Sequence, residues 1–263
     1  MRIQLKTKFL ALILLLGAVA APGVFGQTNP VAVVNAASFQ ARWPVAPGAL
    51  ASAFGTFTGA TQGDATMLPL PTSINGVELR VNGIAAPLLF VSPTQINFQV
   101  PRDTPITVTS LTNSVTVEVR VGGSVVASGN MAVAPASPAM FIANLQDPFA
   151  PGAILNQNSQ FVAVRRGEVI QIFATGAGVD LSSPVLDGTA AGANPLVRTN
   201  KAPRVFIFQQ EATVEFSGLS PQFVGLWQIN VRVPEIAAIS GQVPVQILYD
   251  GLLSNVVTLN VVP

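Results

Sequence analysis

The side chains able to do chemistry set a narrow limit at the outset. The chain has no histidine and no cysteine, which removes Ser–His–Asp and Cys–His nucleophile systems and the usual zinc, copper and non-haem iron sites. What remains is carboxylate chemistry. A glycosidase needs two carboxylates facing each other across a cleft, about 5 to 10 Å apart. Beyond residue 26 there are six Asp and six Glu, spread singly. Glu211 and Glu215, four apart around Thr213 and Val214, would share one face of an extended strand, where a solvated polar face is the favoured reading. Asp180 and Asp187-Gly188 are the nearest approach to a calcium loop, but they lack the dense acidic spacing of an EF-hand. Thr175-Gly176-Ala177-Gly178 has the look of a phosphate cradle without the following helix or lysine, so a turn at a strand end is expected. An internal isopeptide crosslink would need a lysine buried in a strand. Beyond the first 26 residues the chain keeps only Lys201, in a loop-like context. The expectation is no enzyme and no cofactor.

The polar residues that do recur are amides. Gln95-Ile96-Asn97-Phe98-Gln99-Val100-Pro101 returns as Gln228-Ile229-Asn230-Val231-Arg232-Val233-Pro234, with five of seven positions identical. On a strand, Gln95, Asn97 and Gln99 share one face and Ile96, Phe98 and Val100 the other, and the second copy repeats the pattern. Gln95, Asn97, Gln228 and Asn230 are therefore the candidate amides. Two roles fit them: tying an adjacent backbone, or hydrogen-bonding sugar hydroxyls. The structural role is favoured, because both copies keep the amides in a motif that ends at proline, as a strand-to-turn boundary requires. Aromatics for sugar stacking are few, namely Trp43, Trp227 and Tyr249. Trp227 precedes Gln228 and should face the opposite side, in the core.

The elements that position these residues are themselves duplicated. Gly48 leads to Phe54-Gly55-Thr56-Phe57-Thr58-Gly59 as Gly167 leads to Phe173-Ala174-Thr175-Gly176-Ala177-Gly178. Val34-Asn35-Ala36-Ala37-Ser38 parallels Leu155-Asn156-Gln157-Asn158-Ser159, and each half closes on a Val-rich segment. Features in the same order make two copies of one domain the better reading. The seam falls in Ala134-Pro135-Ala136-Ser137-Pro138, whose prolines interrupt any continuous strand and stiffen the connection.

Within each half the hydrophobic period is two. Val115, Val117, Val119 and Val121 alternate with Ser114, Thr116, Glu118 and Arg120, and Val243, Val245, Ile247 and Tyr249 form a similar stripe. Asn75-Gly76, Asn82-Gly83 and Asp250-Gly251 are hairpin dipeptides that tolerate positive φ. No helical stripe stands out, although Pro234 to Ile239 has room for one short turn. The expected fold is all-β: two tandem immunoglobulin-like β-sandwiches after a cleaved signal peptide, spanning 27–136 and 137–263, without the Cys–Trp–Cys core of antibody domains.

The signal peptide is read over residues 1–26, with Arg2, Lys6 and Lys8 ahead of an apolar run from Phe9 to Val19. That run is shorter than the roughly 20 residues that span a bilayer. Cleavage after Ala20 or after Gly26 fits the small-residue rule equally. Of 13 basic and 12 acidic residues, three basic ones lie in the leader, leaving 10 against 12. A weakly acidic chain is a poor nucleic-acid binder, and nothing after the leader reads as a membrane span.

The chain resembles a family of uncharacterised C-terminal domains on secreted proteins of soil acidobacteria, often called the Solibacter C-terminal domain. The resemblance rests on Val33 to Phe39, Pro47 to Ala51, Val81 to Phe90, Gln95 to Pro101, Ala174 to Gly178 and Gly225 to Asn230. It implies export and a β-rich tandem architecture similar to transcription-factor-type immunoglobulin domains, and it supplies no activity. The commonest arrangement in that family carries a large N-terminal partner region, and here the module is expected to stand alone. The functional expectation is a noncatalytic exported module for adhesion, spacing or assembly, whose partner is a protein or polysaccharide at the cell exterior. A carbohydrate-binding module is the alternative, and a carboxylate-based hydrolase a weaker one. The expected location is outside the cytoplasm: secreted, periplasmic or associated with the cell surface.

Overall fold

The computed structural model describes residues 28–41, 43–106 and 113–263. The leader expected over 1–26 lies outside the described residues. Among the described residues there are nineteen strands and no helix, and hence no helix long and apolar enough to cross a membrane.

The first sheet contains β1 (Asn29–Asn35), β2 (Leu50–Gly55), β3 (Gly63–Asp64), β4 (Val77–Val81), β5 (Ile84–Ala85), β6 (Leu88–Val91), β7 (Gln95–Gln99), β8 (Asn113–Val121) and β9 (Ser124–Val133). Its order is β3-β6-β7-β2-β1-β9-β8-β4-β5. Strand β1 curls this sheet into a sandwich. Asn29 and Pro30 run parallel to Ala127 and Ser128 of β9, while Val31 through Asn35 run antiparallel to β2. The faces on either side of β1 close on one core, where Ala51, Ile96, Phe98 and Leu88 meet Val77, Leu79, Val117, Val119 and Met131. The valine stripe of β8 supplies that core as its period requires.

The second sheet contains β10 (Ala139–Met140), β11 (Ile154–Asn156), β12 (Val164–Arg165), β13 (Val169–Thr175), β14 (Arg204–Ile207), β15 (Gln210–Leu219), β16 (Trp227–Arg232), β17 (Gly241–Tyr249), β18 (Leu252–Leu253) and β19 (Val257–Val262). Here β15 makes the turn between layers, pairing with β14 through Ala212 and then with β16 from Thr213 onward, with a bulge between Val214 and Phe216. Its counterparts in the first sheet are β5 and β6, separated at Ala86-Pro87, because proline cannot donate to a ladder. The fold is all-β and immunoglobulin-like, as the alternation and turn dipeptides indicate.

The duplication extends to individual hydrogen bonds. Gly48 N–H donates to the Val100 carbonyl at 2.8 Å and Gly167 N–H to the Val233 carbonyl at 2.8 Å. Both glycines have positive φ, 78° and 75°. Phe54 faces Gln95 as Phe173 faces Gln228, and Ser52 faces Asn97 as Gln171 faces Asn230. Val45 pairs in parallel with Val133, and Val164 with Val261. The hairpin turns fall at Asn82-Gly83 and Asp250-Gly251, all four residues at positive φ. A turn without such a dipeptide joins β14 to β15 through Phe208 and Gln209, also at positive φ.

Candidate functional site

The repeated amides come first. In β7, Gln95 Nε2 donates to Asn97 Oδ1 at 2.9 Å, and the Ser52 hydroxyl donates to the same oxygen at 2.9 Å. In β16, Gln228 Nε2 donates to Asn230 Oδ1 at 2.9 Å, and the Ser220 hydroxyl donates to Gln228 Oε1 at 3.2 Å. The two copies thus share a Gln-to-Asn bond along the strand, each amide partly satisfied by its neighbour two residues away. Their exposure differs. Gln95 and Asn97 are buried, so that all five residues of β7 are enclosed, whereas Gln228 and Asn230 are half-buried. The amide face is therefore half-exposed only in the second copy.

The third polar residue of the first motif, Gln99, reaches into the second half. Its Oε1 accepts from Gly188 N–H at 2.7 Å and its Nε2 donates to the Gly48 carbonyl at 3.2 Å. Around it lies a joint between the halves. The Thr175 hydroxyl accepts from Leu50 N–H and donates to the Gly225 carbonyl, both at 2.9 Å. Asn35 Nδ2 donates to the Ser137 carbonyl at 3.3 Å, and the Ser137 hydroxyl to the Pro44 carbonyl at 2.6 Å. Beneath these bonds Ala36, Ala37 and Leu50 pack with Ala139, Phe141, Ala153 and Leu226. Backbone groups buried by the contact thereby find partners, which removes the cost of leaving them dry and unpaired. The Thr175-Gly176-Ala177-Gly178 turn serves the same joint. A Cβ on Gly176 would overlap the Ser137 carbonyl and one on Gly178 the Pro135 carbonyl, so glycine lets the connecting segment lie against the turn.

The matching surface of the second half is open. A depression of about 590 Å³ is lined by Asn156, Gln157, Asn158, Ala163, Arg165, Arg166, Gly167, Glu168, Val169, Arg232 and Val262. Asn156 Oδ1 accepts from Asn158 and Gln160 N–H groups at 3.0 Å, as Asn35 Oδ1 accepts from Ala37 N–H at 2.9 Å. Arg232 occupies the register position of Gln99. Its guanidinium donates to the Gly167 carbonyl at 2.8 Å and to Glu215 Oε1 at 2.6 Å.

The other candidates are engaged elsewhere. Glu211 is held by a two-point contact from Arg204, at 3.0 and 2.7 Å, and the hydrogen bond from Arg204 keeps its carboxyl below the usual range. Glu215 is bound to Arg232 instead, so each acid holds its own cation. Asp180 accepts from Asn200 Nδ2 at 2.8 Å, and both Asp187 oxygens accept from Arg102 N–H at 3.1 and 3.2 Å. Burial raises the Asp187 carboxyl above its ordinary value, against the opposing pull of Arg102. Among the described residues no cluster of three or more His, Cys, Asp or Glu is placed to hold a metal ion. Lys201 pairs with Asp250 at 2.8 Å. Trp227 is fully buried, donates to the Ser217 hydroxyl at 2.9 Å and lies 5.0 Å from the Tyr249 ring, so it takes the core role expected of it. Of the aromatics considered for sugar stacking, only Trp43 is exposed.

Sequence reasoning missed Gln99, Thr175 and Asn35 as joint residues, and Arg165 and Arg166 as lining of the depression. The signal was present in the alignment of the halves: Ala46-Pro47 stands where the second copy has Arg165-Arg166, and Gln99 where it has Arg232.

No family model matches the chain, and no curated protein matches it. Among solved structures, a β-glycosidase from Bacteroides vulgatus aligns with 90% of this chain and 25% of its own length, at 12% identity and a TM-score of 0.24. A glycosyl hydrolase family 2 member from Bacteroides cellulosilyticus DSM 14838 aligns with 88% of this chain and 28% of its own, at 13% identity and 0.21. A tandem pair of immunoglobulin domains from titin aligns with 83% of this chain and 89% of its own, at 12% identity and 0.21. The chain thus spans about a quarter of the glycosidases it aligns with. The fold assignment rests on strand order and register, not on these likenesses.

Proposed function

We propose that the protein is a noncatalytic exported module for adhesion, spacing or assembly at the cell surface or beyond it, built as two sandwiches over 27–136 and 137–263. The observation that carries this reading is the joint. Side-chain and backbone bonds from Gln99, Thr175, Asn35 and Ser137 cross it over an apolar floor, which favours a semi-rigid rod over two tethered beads. The Gln–Asn pairs are assigned a structural role, since each uses its donor and acceptor along its own strand. The acids considered for catalysis support the same reading, because Glu211 and Glu215 each serve an arginine and Asp187 a backbone N–H. The resemblance to Solibacter-type domains fits an exported module of this kind.

Two measurements test the reading. N-terminal sequencing of the protein recovered from the native cell envelope and medium should begin after Ala20 or Gly26; recovery solely in the cytoplasm with Met1 intact overturns export. A broad hydrolase screen on the purified protein should show no turnover. Turnover abolished by substitution of one acidic residue would replace the module with an enzyme.

A further inference from the structure

The surface around Arg165 and Arg166 carries a second reading, one that deepens the module proposal and rests on it. We infer that the depression between β12, the Asn156–Asn158 turn and Arg232 binds an acidic oligosaccharide, with Arg165 and Arg166 receiving its carboxylates.

The cations of this molecule are mostly spoken for. Arg80, Arg120, Lys201, Arg204 and Arg232 each hold a carboxylate, and the Arg198 guanidinium lies 4.9 Å over the Phe216 ring. Among the described residues the side chains of Arg165 and Arg166 have no such partner, although they are adjacent and line one concavity. The lining holds three guanidiniums to one carboxylate. That carboxylate, Glu168, turns back to accept from Arg165 N–H at 3.0 Å. Glu215 is bound to Arg232, and Glu235 lies beside Gly167 outside the lining. A planar guanidinium with free donors matches a carboxylate at two points, which an ammonium does not.

The fold itself does not call for these arginines. In the first half the same positions are Ala46 and Pro47, where Gln157 and Asn158 stand the first half has Ala36 and Ala37, and both halves keep the same register. Of these first-half residues Ala36 and Ala37 are buried in the joint and Ala46 in the core beside it, whereas their polar counterparts line the depression. Protein docking there uses Leu50 against Phe141 and Leu226, as interface anchors generally do. The depression offers only Ala163, Val169 and Val262 as apolar lining. Amide and guanidinium donors without an apolar anchor suit a ligand rich in hydroxyls and carboxylates rather than a protein face. Its volume of about 590 Å³ is within the roughly 300–1,000 Å³ common for small-ligand sites.

The test is calorimetric titration of the full chain with oligogalacturonate at low and at moderate salt. Neutral oligogalactose and a poly-glutamate peptide serve as controls. Expected are saturable binding of oligogalacturonate that weakens with salt, no binding of the controls, and at least tenfold weaker binding in Arg165→Ala/Arg166→Ala with an unchanged melting temperature. An Arg165→Lys/Arg166→Lys variant should recover only part of the loss. Binding unaffected by the double substitution, or absent for oligogalacturonate, overturns the inference and leaves the module reading standing. Equal binding of poly-glutamate overturns the saccharide assignment. Cleavage of the bound saccharide would overturn the noncatalytic reading while leaving the site in place.

Discussion

The surface around Asn35, Gly48, Leu50 and Gln99 and the surface around Asn156, Gly167, Val169 and Arg232 occupy one location in two copies of a single fold. In the first half it is buried: Leu50 is 4% exposed, and Gln99 spends both ends of its amide on carbonyl and N–H partners. In the second half it is open and lined by guanidiniums and amides. The strands beneath are unchanged in register, while the side chains on the two surfaces differ. Backbone pairing sets where a surface lies, and its residues set the chemistry that surface presents.

The comparison is most sharply broken at the paired glycines. Gly59 and Gly178 are equivalent and both have positive φ, 83° and 76°. A Cβ on Gly59 meets only a Val121 methyl at 3.6 Å, whereas one on Gly178 overlaps the Pro135 carbonyl. Gly59→Ala should cost about 1–2 kcal/mol for the left-handed backbone. Gly178→Ala should exceed it by at least about 2 kcal/mol, since backbone must move to relieve the overlap. Equal costs in chemical denaturation would mean that the connecting segment does not lie against the turn.

A smaller contrast is expected from Leu50→Ala against Val169→Ala. Losing Leu50 opens a void in the joint, at about 2–5 kcal/mol. Val169 is half-buried at the open surface, and its loss should stay below about 1 kcal/mol. Urea midpoints for the two variants give the answer directly. Next in size, Gln99→Ala strands the Gly188 N–H at about 1–3 kcal/mol. Arg232→Ala, whose ion pair with Glu215 is largely exposed, should cost no more than about 1 kcal/mol.

The smallest effect concerns pH. Burial raises the Asp187 carboxyl above its ordinary value, so the folded state binds the proton more tightly than the unfolded chain. That contribution is complete below the unfolded value and disappears as pH rises through the folded one. Asp187→Asn keeps an acceptor for Arg102 N–H without the desolvated charge. It should therefore leave stability at neutral pH unchanged or slightly raised, and flatten its dependence across the acid range. A marked loss at neutral pH would show instead that the ionised carboxylate is needed.

Much of this architecture was legible beforehand. The stripe from Val115 to Val121 and the one from Val243 to Tyr249 enter the cores as their period requires, with Val121 left half-buried at the end of β8. Asn82-Gly83 and Asp250-Gly251 turn where expected because both residues accept positive φ cheaply. The Phe208-Gln209 turn was not legible, since neither residue favours that backbone and the pairing of β14 with β15 imposes it. Periodicity divides β7 into two faces but does not reach its burial. Alternation separates two faces but says nothing of what covers the outer one, and the burial of Gln95 and Asn97 appears only once the chain is folded. The joint residues were hidden for the same reason: Gln99 and Thr175 are ordinary strand-end residues until Gly188 and Leu50 arrive beside them.

The joint's rigidity is tested most directly by a distance between the halves. The chain has no cysteine, so spin labels on Thr116→Cys and Gln242→Cys, both exposed strand positions, report one vector without background. Electron–electron double resonance should give a single narrow distance distribution, and adding Leu50→Ala with Gln99→Ala should broaden it. A broad distribution in the otherwise unaltered protein would contradict the account, since the two halves would then move independently across the very surface held here to lock them.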